Sequence, residues 1–292
     1  MSTFQLPSFT AGFWRLDEWP QRNSELTHYI ESLLEVGIDT VDHADIYGKY
    51  QCESIFAQAV SNALRDKLKI VTKCGIKPAW QENGFAGKTA HYNSSKENIM
   101  RSVEASLQRL NTDRVDLLLL HRPDYLMQAD EVAEAFNLLK QQGKVLHFGV
   151  SNFTVSQFNL LQSRLDEKLV TNQIEMSPMS MQALDDGTLD LCQQQGISPM
   201  LWSPLAGGRL FSEDEQAIRL RDALQSVANE LALDSLDKVV YAWLLTLPCR
   251  PAIILGTGKL ARVKAALDVK NIRLSHEQWY RIWSASKGHG VA

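Results

Sequence analysis

The chain predicts an α/β fold: a (β/α)8, or TIM, barrel with an N-terminal extension, long loops after strands 3 and 7, and a C-terminal helix. Three observations carry this reading. Short β-like runs alternate with helical patterns along the 292 residues, giving eight strand candidates. Several of those runs, such as Val115–Leu120 with Asp116 its one polar residue, are near-continuously apolar rather than alternating, as parallel strands covered on both faces require. The rival architecture, an open doubly wound sheet, lacks its signature, because no GxGxxG turn follows the first strand.

The elements follow in order. The first strand is expected at Phe9–Trp14. Ser24 can cap a helix carrying Leu26, Tyr29, Ile30, Leu33 and Leu34 on one stripe, with Gly37 just past its end. Ile38–His43 and Lys69–Cys74 are the second and third strands. Ser94 and Glu97 have capping-box spacing before Ile99, Val103, Leu107 and Leu110, and Val115–Leu120 is the fourth strand. Val132, Phe136 and Leu139 form an apolar helix face stopped at Gly143, ahead of strands at Val145–Val150, Val170–Glu175 and Ile197–Trp202. Val239, Val240, Trp243, Leu244 and Leu247 repeat the pattern before Pro248, and Ala252–Gly256 is the eighth strand. Two connections, Gly75–Asn93 and Ser203–Gln225, are longer than the barrel needs, and loops at the strand C-termini build the site in this fold. No linker or composition break divides the chain, so residues 1–292 read as one domain.

Composition narrows the function. A net charge of -4 gives no basic footprint for nucleic acid. Four cysteines, Cys52, Cys74, Cys192 and Cys249, stand far apart without CxxC spacing, which suits reduced thiols in the cytoplasm. The N-terminus has no signal-peptide pattern, and the apolar runs are far too short to span a bilayer. A cytoplasmic protein, monomeric or weakly homo-oligomeric, is expected.

Polar residues cluster where barrel strands deliver their ends. The second strand runs into Asp42-His43-Ala44-Asp45-Ile46-Tyr47-Gly48, the third ends in Val71-Thr72-Lys73-Cys74, and the fourth in Leu120-His121-Arg122-Pro123. A free phenol has a pKa of about 10. An ammonium beside it stabilises the phenolate, a carboxylate holds the ammonium, and an imidazole can orient a carbonyl oxygen. The set suits protonation of a carbonyl oxygen during reduction. Taken singly, an Asp beside a Lys is most often a structural ion pair and a strand-end Tyr most often packing; their joint emergence from three successive strand ends is what points to chemistry.

From about Phe9 to Leu267 the chain resembles the aldo-keto reductase family. Asp42–Gly48 looks like its DTAxxYG block, Val71-Thr72-Lys73 like its strand-end lysine motif, and Asp116–Asp124 like the segment carrying its histidine. The resemblance implies a tetrad of Asp42, Tyr47, Lys73 and His121. Tyr47 would be the acid, Lys73 would tune it, Asp42 would position Lys73, and His121 would bind the carbonyl. Asp45 lies outside that tetrad and reads as local hydrogen bonding. Gly149-Val150-Ser151-Asn152-Phe153 is similar to the family's GVSNF element, implying that Ser151, Asn152 and Gln173 hold the nicotinamide carboxamide, while Trp202 takes the place of an aromatic that stacks on the nicotinamide ring.

Ser203-Pro204-Leu205-Ala206-Gly207-Gly208-Arg209-Leu210 resembles a loop that covers the pyrophosphate. Gly12, Trp14 and Arg15 match the glycine-rich end of the family's first strand, where Trp14 could touch substrate or cofactor. Phosphate binding has an independent argument. Gly256-Thr257-Gly258-Lys259 follows the last strand and opens a helix, whose N-terminus offers unpaired N–H groups, and Arg262 adds charge. In the family this stretch binds the adenosine 2′-phosphate, which implies NADPH over NADH. The chain departs where the family often has Lys at Gly256 and Glu and Asn at Ala265 and Ala266. After Trp283 only a short tail remains, implying an open pocket.

The leading expectation is an NADPH-dependent reductase of an aldehyde or ketone, dicarbonyls included. A nucleotide-sensing regulatory subunit on the same barrel is the alternative. A metal-dependent hydrolase using His43, Asp45 and His121 is a third reading; no HxH pair completes its ligand set, and no metal is expected.

Overall fold

The computed structural model describes residues 4–79 and 89–292. Its strands are β1 (Phe9–Gly12), β2 (Thr40–Asp42), β3 (Lys69–Cys74), β4 (Ile76–Lys77), β5 (His91–Tyr92), β6 (Val115–Leu120), β7 (Val145–Ser151), β8 (Asn172–Glu175), β9 (Met200–Trp202) and β10 (Ala252–Leu255). Between and after them lie α1 (Ser24–Glu35), α2 (Cys52–Gln58), α3 (Asn62–Arg65), α4 (Lys96–Leu110), α5 (Ala129–Gln141), α6 (Val155–Gln162), α7 (Gln182–Asp185), α8 (Thr188–Gln195), α9 (Glu215–Glu230), α10 (Leu236–Leu245), α11 (Leu260–Asp268) and α12 (His276–Lys287). Eight strands pair in parallel and close in the order β1-β10-β9-β8-β7-β6-β3-β2. This is the expected (β/α)8 barrel, and α12 is its C-terminal helix.

The strand bounds agree in places and differ in others. β3 and β6 have the expected bounds; β6 is apolar but for Asp116, since helices cover one face and the barrel interior the other, while β3 also carries Lys69, Thr72 and Lys73. β1 ends two residues before Trp14, because Phe13 turns into the core and is fully buried while Trp14 is 59% exposed. β8 and β9 start later than expected, at Asn172 and Met200, although the Val170 N–H already bonds the Phe148 carbonyl of β7 at 2.9 Å ahead of β8. Inside the barrel, Val71, Leu117, Leu119, Met200, Ala252 and Ile254 pack together, with Phe4 and Leu6 of the N-terminal extension against them. The Phe4 ring lies on His147, near the start of β7.

Two helix starts and one loop differ from expectation. Ser24 is the first residue of α1 rather than its cap. At α4 the cap is Ser95, whose side chain accepts from the Asn98 N–H, while the Ser94 N–H goes to the Asp124 carboxylate at 2.8 Å. The connection expected as a loop at Ser203–Gln225 becomes helix from Glu215, where Asp214 accepts from the Ala217 N–H at 2.8 Å. Ala217, Leu220, Leu224 and Val227 then face the core, so only its first part is loop. The other long connection, Gly75–Asn93, contains the antiparallel ribbon β4–β5, and residues 80–88 of it lie outside the described residues. Among the described residues no helix is long and apolar enough to cross a membrane.

Candidate active site

The barrel brings the four strand-end residues together. Asp42 closes β2, Lys73 lies in the adjacent β3, and His121 follows β6, with its N–H on the Cys74 carbonyl at 2.8 Å. Tyr47 is carried by the turn after β2, tightened by its N–H on the Ala44 carbonyl at 3.2 Å. Gly48 follows at φ 54°, and a Cβ there would come within 2.6 Å of Cys52 Sγ, so the turn needs glycine.

Lys73 is the centre. Its side chain has no exposure, and Nζ donates to Asp42 Oδ2 at 2.8 Å, to the His43 carbonyl at 2.7 Å and to the Tyr47 hydroxyl at 2.9 Å. All three ammonium protons thus have acceptors. Asp42 Oδ1 accepts from Gln173 Nε2 at 2.8 Å, a bond between residues 131 apart in sequence. The Tyr47 and His121 rings meet edge to face, centroids 5.8 Å apart.

Electrostatics gives each group a state. Burial alone would discharge Lys73, but the Asp42 carboxylate and Tyr47 outweigh it and raise its pKa, so the ammonium stays charged. Burial, then Lys73 and Arg122, lower His121 well below the usual histidine range, leaving a neutral imidazole whose Nδ1 is buried without a partner among the described residues. For Tyr47 the expected lowering is overturned. Burial is the largest influence and raises its pKa, with Lys73 pulling only part of the way back. At neutral pH the phenol therefore keeps its proton.

His43 and Asp45 are not site ligands. His43 is fully buried, stacked on Phe13 at 5.0 Å between centroids and edge-on to Phe56 at 4.5 Å, and burial lowers its pKa to about 3. Asp45 is more than the local hydrogen bonding expected of it. It does accept from the Ile46 N–H, yet its carboxyl is 2% exposed, Oδ1 has no partner among the described residues, and burial, followed by Glu53, raises its pKa to about 7. Among the described residues no three His, Cys, Asp or Glu side chains gather as a metal site, and all four cysteines are free and buried.

The residues expected around a cofactor fall into three groups. Ser151 ends β7 and donates to the Gln173 carbonyl at 2.9 Å. Asn152, in the left-handed region at φ 59°, donates to Ser151 Oγ at 2.8 Å and accepts from Trp202 Nε1 at 3.2 Å. Gln173 differs from expectation in committing its amide N–H to Asp42, which leaves it a part in the tetrad as well. Next, Ser203, Pro204, Leu205, Ala206, Gly207 and Arg209 form the turn after β9, with Ala206, Gly207 and Gly208 at φ 53°, 64° and 98°. Lastly, Gly256, Thr257, Gly258 and Lys259 lead into α11, whose first turn has no side-chain cap. A Cβ at Gly256 would meet nothing within 4 Å, and Lys259 and Arg262 are exposed beside it. The open glycine, uncapped helix start and two cations fit a phosphate group. Gly12 lies in register with Asp42, and a Cβ there would come within 2.6 Å of Ile254; Arg15 lies over the Trp14 ring at 5.6 Å.

With this geometry the comparisons agree. A profile of the Aldo/keto reductase family matches residues 9–287. The chain belongs to this family. Oxidoreductase YdhF of Escherichia coli is 50% identical over 285 residues, covering 97% of this chain and 94% of the relative. A 6-dehydroglucose reductase of Agrobacterium fabrum is 40% identical over 292 residues, covering 99% and 97%. Among solved structures, an aldo/keto reductase from Klebsiella pneumoniae in complex with NADP and acetate superposes with a TM-score of 0.74 at 25% identity, covering 95% of this chain and 90% of that one. The aldo/keto reductase chain described here is thus an oxidoreductase by family.

Sequence reasoning gave three residues at the site no role. Arg122 lies over the Trp202 ring, its guanidinium carbon 5.7 Å from the centroid. Trp19 and Gln21 cover the phosphate-type loop: Gln21 Nε2 donates to the Gly258 carbonyl at 3.0 Å, and a Cβ at Gly258 would come within 2.9 Å of Trp19. For Arg122 the signal was present, a cation directly following a strand-end histidine. For Trp19 and Gln21 there was none, because their partner is 237 residues away.

Proposed function

We propose that the chain uses NADPH to reduce an aldehyde or ketone to an alcohol, with Tyr47 as the proton donor. The observation that carries this is the fully buried Lys73 ammonium, shared between Asp42 and the Tyr47 hydroxyl at 2.8 and 2.9 Å, beside a neutral His121. His121 donates to the carbonyl oxygen and orients it. A reduced nicotinamide held by the residues named below would supply the hydride for the carbonyl carbon. As negative charge develops on the oxygen, Tyr47 hands over its proton, and Lys73 stabilises the phenolate left behind. The raised pKa keeps the phenol loaded for that step. Asp42, itself held by Gln173, holds Lys73 from behind.

Ser151, Asn152 and Gln173 would hold the carboxamide, Trp202 the nicotinamide ring, and the turn after β9 the pyrophosphate. Gly12, Trp14 and Arg15 would flank it, and Gly256–Lys259 with Arg262 would take the 2′-phosphate, favouring NADPH. The relative bound to NADP supports the cofactor, and the relative named for 6-dehydroglucose supports hydroxylated aldehydes among the first substrates to try. The regulatory-subunit alternative gains no support from relatives named as oxidoreductases and reductases.

The test is loss of NADPH absorbance with reactive aromatic, dicarbonyl and hydroxylated aldehydes, comparing wild type with Tyr47→Phe. Turnover that vanishes in the variant while NADPH still binds is the expected result. Comparable turnover in Tyr47→Phe refutes the assignment of the acid.

A further inference from the structure

Among the described residues, Arg122 is a cation at the site that makes no hydrogen bond to the proton-transfer residues. Arg122 follows His121 directly beyond β6 and is half-buried. Among the described residues it has neither ion pair nor hydrogen bond, only the indole face of Trp202 at 5.7 Å. Half-buried or buried arginines elsewhere are satisfied: Arg65 by Asp116 at 3.3 Å, Arg221 by the Leu210 carbonyl at 3.0 Å. None of its nitrogens is sealed from solvent, so its N–H donors stay available to the acceptors of a bound molecule.

The nearby carboxylates are engaged elsewhere. Asp124, two residues on, is committed to the Ser94 and Leu126 N–H groups at 2.8 and 2.9 Å. Asp42 is committed to Lys73 and Gln173. Meanwhile Trp202 is pinned by its indole N–H on Asn152 Oδ1 at 3.2 Å, so the surface under the guanidinium is a fixed platform. The charge also reaches the reacting groups, since it lowers His121 and opposes the burial of Tyr47. Five fork-shaped donors thus sit beside the place where a carbonyl would bind, held over a rigid aromatic and without a protein acceptor among the described residues.

We propose that Arg122 binds the substrate's chain and selects aldehydes carrying acceptor oxygens, as hydroxyls or a carboxylate, over apolar ones. The inference rests on the reductase reading of the same site. Missing acceptors on the protein are replaced by acceptors on the substrate, through charge-assisted hydrogen bonds that an apolar chain cannot make.

The experiment compares wild type, Arg122→Leu and Arg122→Lys with NADPH and three aldehydes: glyceraldehyde for hydroxyls, succinic semialdehyde for a carboxylate, and pentanal for neither. The readout is the ratio of kcat/KM for each oxygenated aldehyde to that for pentanal. Arg122→Leu is expected to lower that ratio about 10- to 100-fold, chiefly through KM. Arg122→Lys should recover part of it on the carboxylate only, because a point charge lacks the planar fork. The oxygenated substrate with the larger loss identifies the native acceptor. An unchanged ratio for both overturns the proposal. Should wild type turn over no aldehyde, the reductase reading fails separately. Titration of glycerate, which cannot be reduced, into the NADP-loaded protein then decides: weaker binding by Arg122→Leu upholds the selector and equal binding refutes it.

Discussion

Asp42→Asn is the substitution whose consequence can be worked furthest. The change is isosteric, so no cavity opens, but both contacts of the carboxylate are lost as they stand. Oδ2 holds the Lys73 ammonium at 2.8 Å and Oδ1 the Gln173 amide at 2.8 Å, both donors. An asparagine brings one acceptor and an NH2 that must confront one of those donors. Removing one partner of a buried ion pair costs about 3–5 kcal/mol. For 292 residues, at about 2 cal/mol/K per residue, that lowers Tm by roughly 5–8 °C. A pH signature separates this from generic damage. In wild type Lys73 is raised by Asp42, so its stabilisation is whole at neutral pH and lost only as pH rises through that raised value. Without the carboxylate, burial dominates and depresses the lysine. The unfolded chain then binds more protons than the folded one, and the variant's stability climbs with pH. Melting of both proteins by circular dichroism from about pH 6 to about pH 9 checks it, the deficit being expected to shrink toward the alkaline end. A deficit that stays constant, or that lies within error of zero, refutes the account of Lys73 as a buried charge held by Asp42.

The remaining predictions are shorter. Asp45 has its pKa raised to about 7, so the folded state holds a proton the unfolded chain releases, and stability falls as pH rises between the ordinary aspartate value and about 7. Asp45→Asn should remove that fall and melt higher than wild type at about pH 8; an identical pH slope in the two proteins counts against it. Gly149→Ala would place a Cβ within 2.9 Å of the Thr171 carbonyl and 2.7 Å of Leu119, neither with room to yield inside the barrel wall. It should cost about 1–3 kcal/mol by overpacking, measured by urea unfolding, and a neutral result would mean the strands can separate there. Arg262→Ala should raise the Kd for NADPH far more than that for NADH by fluorescence titration; equal losses remove the 2′-phosphate contact.

Much of this site was legible because barrels deliver strand ends to one face, so Asp42, Lys73 and His121 could be ordered from their strands alone, with Tyr47 on the turn between. β3 and β6 were legible to the residue, β6 as a strand covered on both faces that is apolar but for Asp116. What could not be read depends on partners distant in sequence. At the start of α4 the cap is Ser95, and the Ser94 N–H is bound instead by Asp124, 30 residues away. The lowering expected for Tyr47 was the right interaction with the wrong winner, since burial depth is a property of the closed barrel and not of the motif. Helix α9 hid inside a stretch dense in charge, although Ala217, Leu220, Leu224 and Val227 already had helical spacing. Arg122 was visible as a residue, but its want of a partner was not.

The bond from Gln173 to Asp42 explains why the four residues should behave as one unit. Gln173 lies on β8 and Asp42 on β2, and these strands do not neighbour each other in the closed order. The carboxylate is therefore fixed from across the barrel mouth, the ammonium from the carboxylate, and the phenol from the ammonium. Each donor of Lys73 and each oxygen of Asp42 has a partner, a complete network at low dielectric where any gap is costly. Closure of the barrel is then what assembles the acid. Loss of any one member disturbs the same charge balance as loss of the next, and the effects of paired substitutions must fall well short of additivity.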